Sequence, residues 1–183
     1  STMGHTWYWC QLHHVDEGPN PGPNPNPNPN DWKYVYSMQN LTFGPDGGLS
    51  VKCLAKHPTE PWLCFMSPHM QDIMDTPFFM FNSKYDAWQL GNEFQSTWTT
   101  KPEQDGVLQY GLDFMQQLAP IYTGSETKHG GMITSCICHG CPWPTLTLEG
   151  KTSYQHYAAW MAGKTTGAAS MHIDPRLPNG NGT

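Results

Sequence analysis

Two strand-length apolar runs constrain this chain more than any other feature. Phe78, Phe79, Met80 and Phe81 form a near-continuous hydrophobic stretch, the pattern of a strand buried on both faces of a parallel sheet. Met132 and Ile133 open a second run that continues to Cys138. Between the two, Val107, Leu108, Gly111, Leu112, Met115, Leu118 and Ala119 recur at three- and four-residue spacing. That spacing predicts an amphipathic helix over Val107 to Leu118, closed by Pro120. Strand, helix, strand in this order predicts neighbouring parallel strands over residues 76–83 and 131–138, with the helix crossing between them. Each run also ends beside a group capable of acid–base chemistry: Asp86 after the first and His139 after the second. An Asp and then a His after successive buried strands is the chain order of the last two members of a Ser-Asp-His hydrolase triad. No Gly-x-Ser-x-Gly turn occurs in the 183 residues, and Ser83, Ser125 and Ser135 lie in no glycine-flanked elbow.

Composition sets the outer bounds. A mass of 20.6 kDa fits one domain with a modest core. Charged residues make up 13% of the chain, and 18 glycines with 17 prolines favour loops over long regular elements. The formal charge of −6 argues against nucleic acid or an anionic membrane as partner. No run approaches the ~18 apolar residues needed to cross a bilayer.

Along the chain, Met3 to Leu12 reads as a possible strand within residues 1–18. Pro19 to Asn30 alternates proline with asparagine or glycine, which removes backbone donors and extends each preceding residue, so residues 19–30 read as a polyproline-II-like linker. Residues 32–43 have helical character. Thr152 or Ser153 can cap a last helix from Tyr154 to about Ala162, with Tyr157, Ala158 and Met161 on one side. The tail over 164–183, rich in Gly, Pro and Asn, is expected to be irregular. Asn40-Leu-Thr42 and Asn181-Gly-Thr183 are N-glycosylation sequons.

The six cysteines are Cys10, Cys53, Cys64, Cys136, Cys138 and Cys141. An even count in a loop-rich chain favours disulfides and an oxidising compartment over free thiols. A metal site from Cys136, Cys138, His139 and Cys141 is the sharper alternative, but its spacing departs from the paired Cys and His spacings of zinc modules. No cofactor is implied.

Several of these stretches together resemble the pectin acetylesterase family, to which the carboxylesterase Notum is related. The family's acid lies in Asn-x-x-Tyr-Asp-x-Trp-Gln, which stands here from Asn82 through Tyr85, Asp86 and Trp88 to Gln89. Its base lies in Gly-Met-x-x-x-Ser-Cys-x-x-His-Cys, matched by Gly131, Met132, Ser135, Cys136 and His139, with Gly140 inserted before Cys141. Cys53 to Phe65 is similar to the family's two-cysteine segment, and Tyr110 to Leu118 to its helix between acid and base. The resemblance covers about residues 37 to 162 and departs from the family in lacking the nucleophile turn. It implies the carboxy-terminal part of an α/β-hydrolase-like fold within residues 31–163, with Asp86 and His139 as catalytic acid and base and Cys53 paired with Cys64. So few parallel strands leave a costly exposed sheet edge, so another polypeptide or an identical copy is expected to complete the sheet.

Two functional classes follow. In the first, the chain is the carboxy-terminal portion of a secreted carbohydrate or lipid carboxylesterase, inactive alone, with a carbohydrate ligand or attached glycan at Asn40. In the second, the scaffold serves as a non-catalytic extracellular assembly subunit of filament type. Tyr85, Trp88 and Trp143 receive no role in either.

Overall fold

Parallel pairing of the two apolar runs organises the molecule. A computed structural model describes residues 36–37, 49–71, 73–93, 97–123 and 127–178. The expected strand within 1–18, the 19–30 linker, Cys10, Ser125 and both sequons lie outside the described residues, as does the 32–43 segment apart from Tyr36 and Ser37. The described elements are α1 (Val51–Lys56), β1 (Phe79–Tyr85), α2 (Lys101–Tyr122), β2 (Gly130–Ile137), β3 (Thr147–Leu148), β4 (Lys151–Thr152), α3 (Ser153–Met161) and β5 (Met171–Ile173). Among the described residues, β1, β2 and β5 form a parallel sheet in that order, and β3 pairs with β4 in a two-residue hairpin. The strand–helix–strand pattern predicted the parallel pair and its crossing helix, and the arrangement fits the partial α/β-hydrolase-like fold that the resemblance implies.

The sheet is buried on both faces because successive strand residues point to opposite sides. Met80 and Ile133 pack with Phe114, Leu118 and Ile121 of α2. Phe79, Met132 and Cys136 face the other way and meet Tyr157 and Trp160 of α3. The two crossover helices therefore cover opposite faces. The buried side of α3 runs through Ser153 and His156, with Tyr157 and Trp160 on Phe79, while Met161 faces solvent. That stripe differs from the expected Tyr157–Ala158–Met161 side because the polar Ser153 and His156 are taken inward by hydrogen bonds to the carbonyls of Trp143 and Leu148.

Helix α2 is longer than expected at both ends. Thr100 and Glu103 form a capping box that starts it at Lys101, two donors being satisfied reciprocally. Pro120 lies inside the last turn and does not close the helix. A proline there lacks only one late backbone donor, and buried Ile121 with Tyr122 holds the turn on the core. Thr123 then ends the helix, its N–H and Oγ1 both donating to the Ala119 carbonyl.

At the middle of α2, Gly111 lets the helix approach the end of β1. A Cβ at Gly111 would lie 2.3 Å from Cε1 of the buried Tyr85 ring. The tail also departs from expectation: Gly167–Ser170 forms a 3-10 turn and Met171–Ile173 forms the third strand. Three residues are too short to show periodicity, and the strand is recruited by the open edge of β2, with Met171 and Ile173 packed on the α2-side core.

Cys53 in α1 is bonded to Cys64 in the 3-10 segment Pro61–Phe65, with Cα atoms 5.8 Å apart and both side chains buried. Cross-linking so short a loop removes unfolded-state freedom worth about 3 kcal/mol. Replacing both cysteines by serine is expected to lower the denaturant-derived unfolding free energy by about 2–4 kcal/mol. Gly111→Ala is expected to lose about 1–2 kcal/mol in the same measurement, because overpacking against Tyr85 outweighs the helix propensity gained.

Candidate active site

The carboxyl ends of β1 and β2 bring the two sequence-predicted residues together. Along the ladder Asn82 pairs with Ile133 and Ser83 with Thr134, but Tyr85 pairs with Ile137, so β2 carries one extra residue. Ser83 fills this irregularity. Its Oγ donates to the Cys136 carbonyl and accepts the Tyr85 N–H at 2.9 Å. Bulges of this kind re-aim side chains beside functional sites. Here Tyr85 leaves the Phe79/Phe81 face and packs with Val107 and Tyr110 of α2.

Asp86 follows immediately, 5% exposed. Its carboxylate is divided between two tasks. Oδ1 accepts the Gln89 N–H at 2.9 Å and so caps the helical turn that runs on from Ala87. Oδ2 lies 2.8 Å from Nδ1 of His139. A carboxylate accepts, so Nδ1 carries the proton and Nε2 the lone pair. Gln89 is fixed in turn by Tyr110, whose hydroxyl donates to Oε1.

His139 sits in the loop after β2, its side chain 42% exposed. Cys138 and Cys141 are joined by a disulfide with Cα atoms 5.3 Å apart, and Gly140 at φ 64 makes the turn between them. The Ala87 N–H donates to the Cys138 carbonyl at 3.4 Å, tying the Asp86 loop to the His139 loop. The Trp88 ring lies with its centroid 6.3 Å from that of His139 and is partly exposed. The two other aromatic residues considered from sequence, Tyr85 and Trp143, are packing residues of the core.

The alternative metal site does not form. Cys138 and Cys141 share their sulfurs in a disulfide, and Cys136 is buried against Phe79 and Met132 on the α3 face. Ser135 is fully buried and points away from a nucleophile's role: its Oγ donates to Asp174 Oδ2 at 2.6 Å.

Beneath the two loops runs a buried polar clamp that sequence reasoning missed. Asp174, just after β5, accepts from Ser135 of β2 and from Nε and Nη2 of Arg176. Lys84 of β1 donates to the Asp174 carbonyl at 2.6 Å and the Arg176 carbonyl at 3.1 Å. Burial alone would raise the Asp174 carboxyl, but hydrogen bonds from Arg176 and Ser135 outweigh it and hold the group well below the usual carboxylate range. Burial pushes the Lys84 ammonium down, opposed by Asp174. The signal was present in sequence as a lone charged residue within an apolar strand.

This arrangement can hold one imidazole tautomer and offer Nε2 to a hydroxyl. In long-range nitrogen–proton correlation spectra, His139 is expected to show a protonated Nδ1. Asp86→Asn should shift the population toward the Nε2-protonated form, as the amide can donate to Nδ1. An unchanged tautomer would count against the assignment.

Comparison with known proteins gives the same frame. The family model described as Pectinacetylesterase matches residues 28–181. Pectin acetylesterase 7 of Arabidopsis thaliana is 26% identical, over 57% of this chain and 30% of that protein. Crystal structures of the Drosophila Wnt deacylase Notum superpose with a TM-score of 0.69 at 18% identity in one crystal form, over 90% of this chain and 44% of Notum. In a second form the TM-score is 0.71 at 17% identity, over 90% and 45%. The chain thus spans less than half the length of these relatives. With a family match running through both strand–loop motifs, the chain belongs to the pectinacetylesterase family.

Proposed function

We propose that this chain carries the acid and base of a secreted serine carboxylesterase whose nucleophile lies on sequence outside these 183 residues. The observation that carries the reading is the 2.8 Å contact between Asp86 Oδ2 and His139 Nδ1 at the carboxyl ends of paired parallel strands. A serine hydroxyl is a weak nucleophile until a base removes its proton. In this reading His139 Nε2 takes that proton as the serine oxygen attacks the ester carbonyl, and Asp86 stabilises the imidazolium that forms. His139 then returns the proton to the departing alcohol, and water, activated at the same nitrogen, releases the acid from the acyl-enzyme.

The substrate class proposed is an acyl ester borne on a carbohydrate. Support comes from family membership and from Trp88, whose partly exposed ring stands beside the imidazole where a sugar face can stack. Secretion is supported by disulfides at Cys53–Cys64 and Cys138–Cys141, bonds that persist in oxidising compartments. In that compartment Asn40 serves as a glycan attachment site. Strand β1 stands at one edge of the described sheet, and its open side is where a strand of the nucleophile-bearing polypeptide pairs. No helix among the described residues is long and apolar enough to cross a membrane.

The isolated 183-residue chain should neither hydrolyse a chromogenic acetyl ester nor react with a fluorophosphonate probe. The assembled protein from its native source should do both, with the label on a serine outside this sequence. His139→Ala in that assembly should cut turnover by roughly a thousandfold or more. A labelled serine within this chain, or turnover indifferent to His139→Ala, would sink the assignment.

A further inference from the structure

The loop that carries His139 is framed by its own cross-link. Cys138 stands immediately before His139 and Cys141 just after Gly140, and their sulfurs are joined around that turn. The Cys-His-Gly-Cys sequence is not part of the family motif: Cys138 falls at one of its open positions, and Gly140 is an insertion. Cys-x-x-Cys is the spacing used by protein thiol–disulfide exchange centres.

The two disulfides among the described residues differ in access. Cys53 and Cys64 are 0% and 1% exposed, so their bond is sealed from solvent. Cys138 is half-buried, and His139 and Gly140 after it are exposed. Cys141 is 6% exposed, so an attacking thiolate meets the bond from the Cys138 side. Exposed disulfides are the labile members of a protein's set, whereas buried structural ones resist reduction. Loop closure points the same way. A bond across 3 residues restricts the unfolded chain less than one across 11, so less stability is lost when it opens.

The bond holds the shape of the His139 loop. It keeps the Cα atoms of Cys138 and Cys141 5.3 Å apart across Gly140, whose φ of 64 suits glycine alone among common residues. The loop meets the Asp86 loop through the 3.4 Å hydrogen bond from Ala87 and the 2.8 Å contact of Asp86 with His139 Nδ1. With the first of these long and the His139 side chain 42% exposed, the loop relies on the cross-link for its position.

We propose that Cys138–Cys141 is a thiol–disulfide exchange site for dithiol reductants, and that its reduction releases His139 from Asp86. A reductant thiolate attacks Cys138 Sγ, the bond to Cys141 breaks, and Cys141 leaves as a thiolate that takes up a proton. The reductant's second thiolate then attacks its own sulfur in the mixed disulfide, and Cys138 leaves in turn and is protonated. Two electrons and two protons pass to the chain, and the reductant departs as a disulfide. As regulation of an esterase this rests on the function proposed above; the exchange itself does not.

The test equilibrates the full chain at neutral pH with graded ratios of reduced to oxidised dithiothreitol, quenches in acid, and maps alkylated cysteines by fragment mass. That mapping keeps the buried free thiol of Cys136 apart from the pair. Cys138 and Cys141 should be alkylated together, at a ratio at least about tenfold lower than Cys53 and Cys64 require. Nitrogen–proton correlation spectra over the same series report the His139 tautomer. The Nδ1-protonated form should give way, in step with opening of Cys138–Cys141, to the Nε2-protonated form that a free imidazole favours in water. Cys138→Ser combined with Cys141→Ser should show that reduced-state spectrum without reductant. Reduction of both disulfides at the same ratio, or a His139 tautomer unchanged once Cys138–Cys141 is open, would overturn the proposal. Neither readout needs ester hydrolysis, so an inactive assembly would count against the esterase reading alone.

Discussion

One residue of slack between β1 and β2 sets everything at the carboxyl end of these two strands. From Ser83 to Tyr85 the first strand advances two positions while its partner advances three, from Thr134 to Ile137. A regular ladder would set Tyr85 opposite Cys136 and leave His139 one residue further along its own strand direction. The slip draws the His139 loop back toward the Asp86 loop. It is stable because Ser83 satisfies both backbone groups that the irregularity frees, donating to Cys136 and accepting from Tyr85. An alanine at this position would fit the apolar run equally well and leave a buried carbonyl and N–H unpaired.

The same slip turns Tyr85 onto α2, where Gly111 makes room for its ring. Tyr110, next in the helix, reaches Gln89 and so braces the turn capped by Asp86. The placement of Asp86 is thus over-determined: strand register, helix approach and cap all act on the segment around it. The Asp174 clamp supports the other side by joining Lys84 of β1 to Ser135 of β2 through the residue after β5. Buried ionised groups are tolerated there because nearly every donor and acceptor has a partner.

Much of this was legible in the sequence, for identifiable reasons. Long apolar runs at Phe78–Phe81 and Met132–Cys138 and a helix of clear period gave the parallel strands and the crossover. The motifs around Asp86 and His139 marked two residues that lie in hydrogen-bond contact, and Asp86 also caps a turn. Helix α2 starts before its apolar period becomes visible, at the capping box of Thr100 and Glu103, and it runs past Pro120, which lies in a last turn where proline is tolerated. Strand β5 was unreadable: Met171, His172 and Ile173 have no period of their own and adopt extended form only on the edge of β2.

The parallel topology also dictates an order of assembly. Both disulfides close short spans, separated by 11 and 3 residues, and α2 is stabilised within itself. By contrast the acid and the base are 53 residues apart, and the link from Lys84 to Asp174 spans 90. Contacts of such separation must overcome loop-closure entropy before they stabilise anything. Local helices and cross-linked loops therefore precede the sheet, and the acid–base contact is among the last features to appear. During synthesis β1 emerges more than forty residues ahead of β2, the strand that covers one of its edges. That interval is when the chain is most open to misassociation through its own strands.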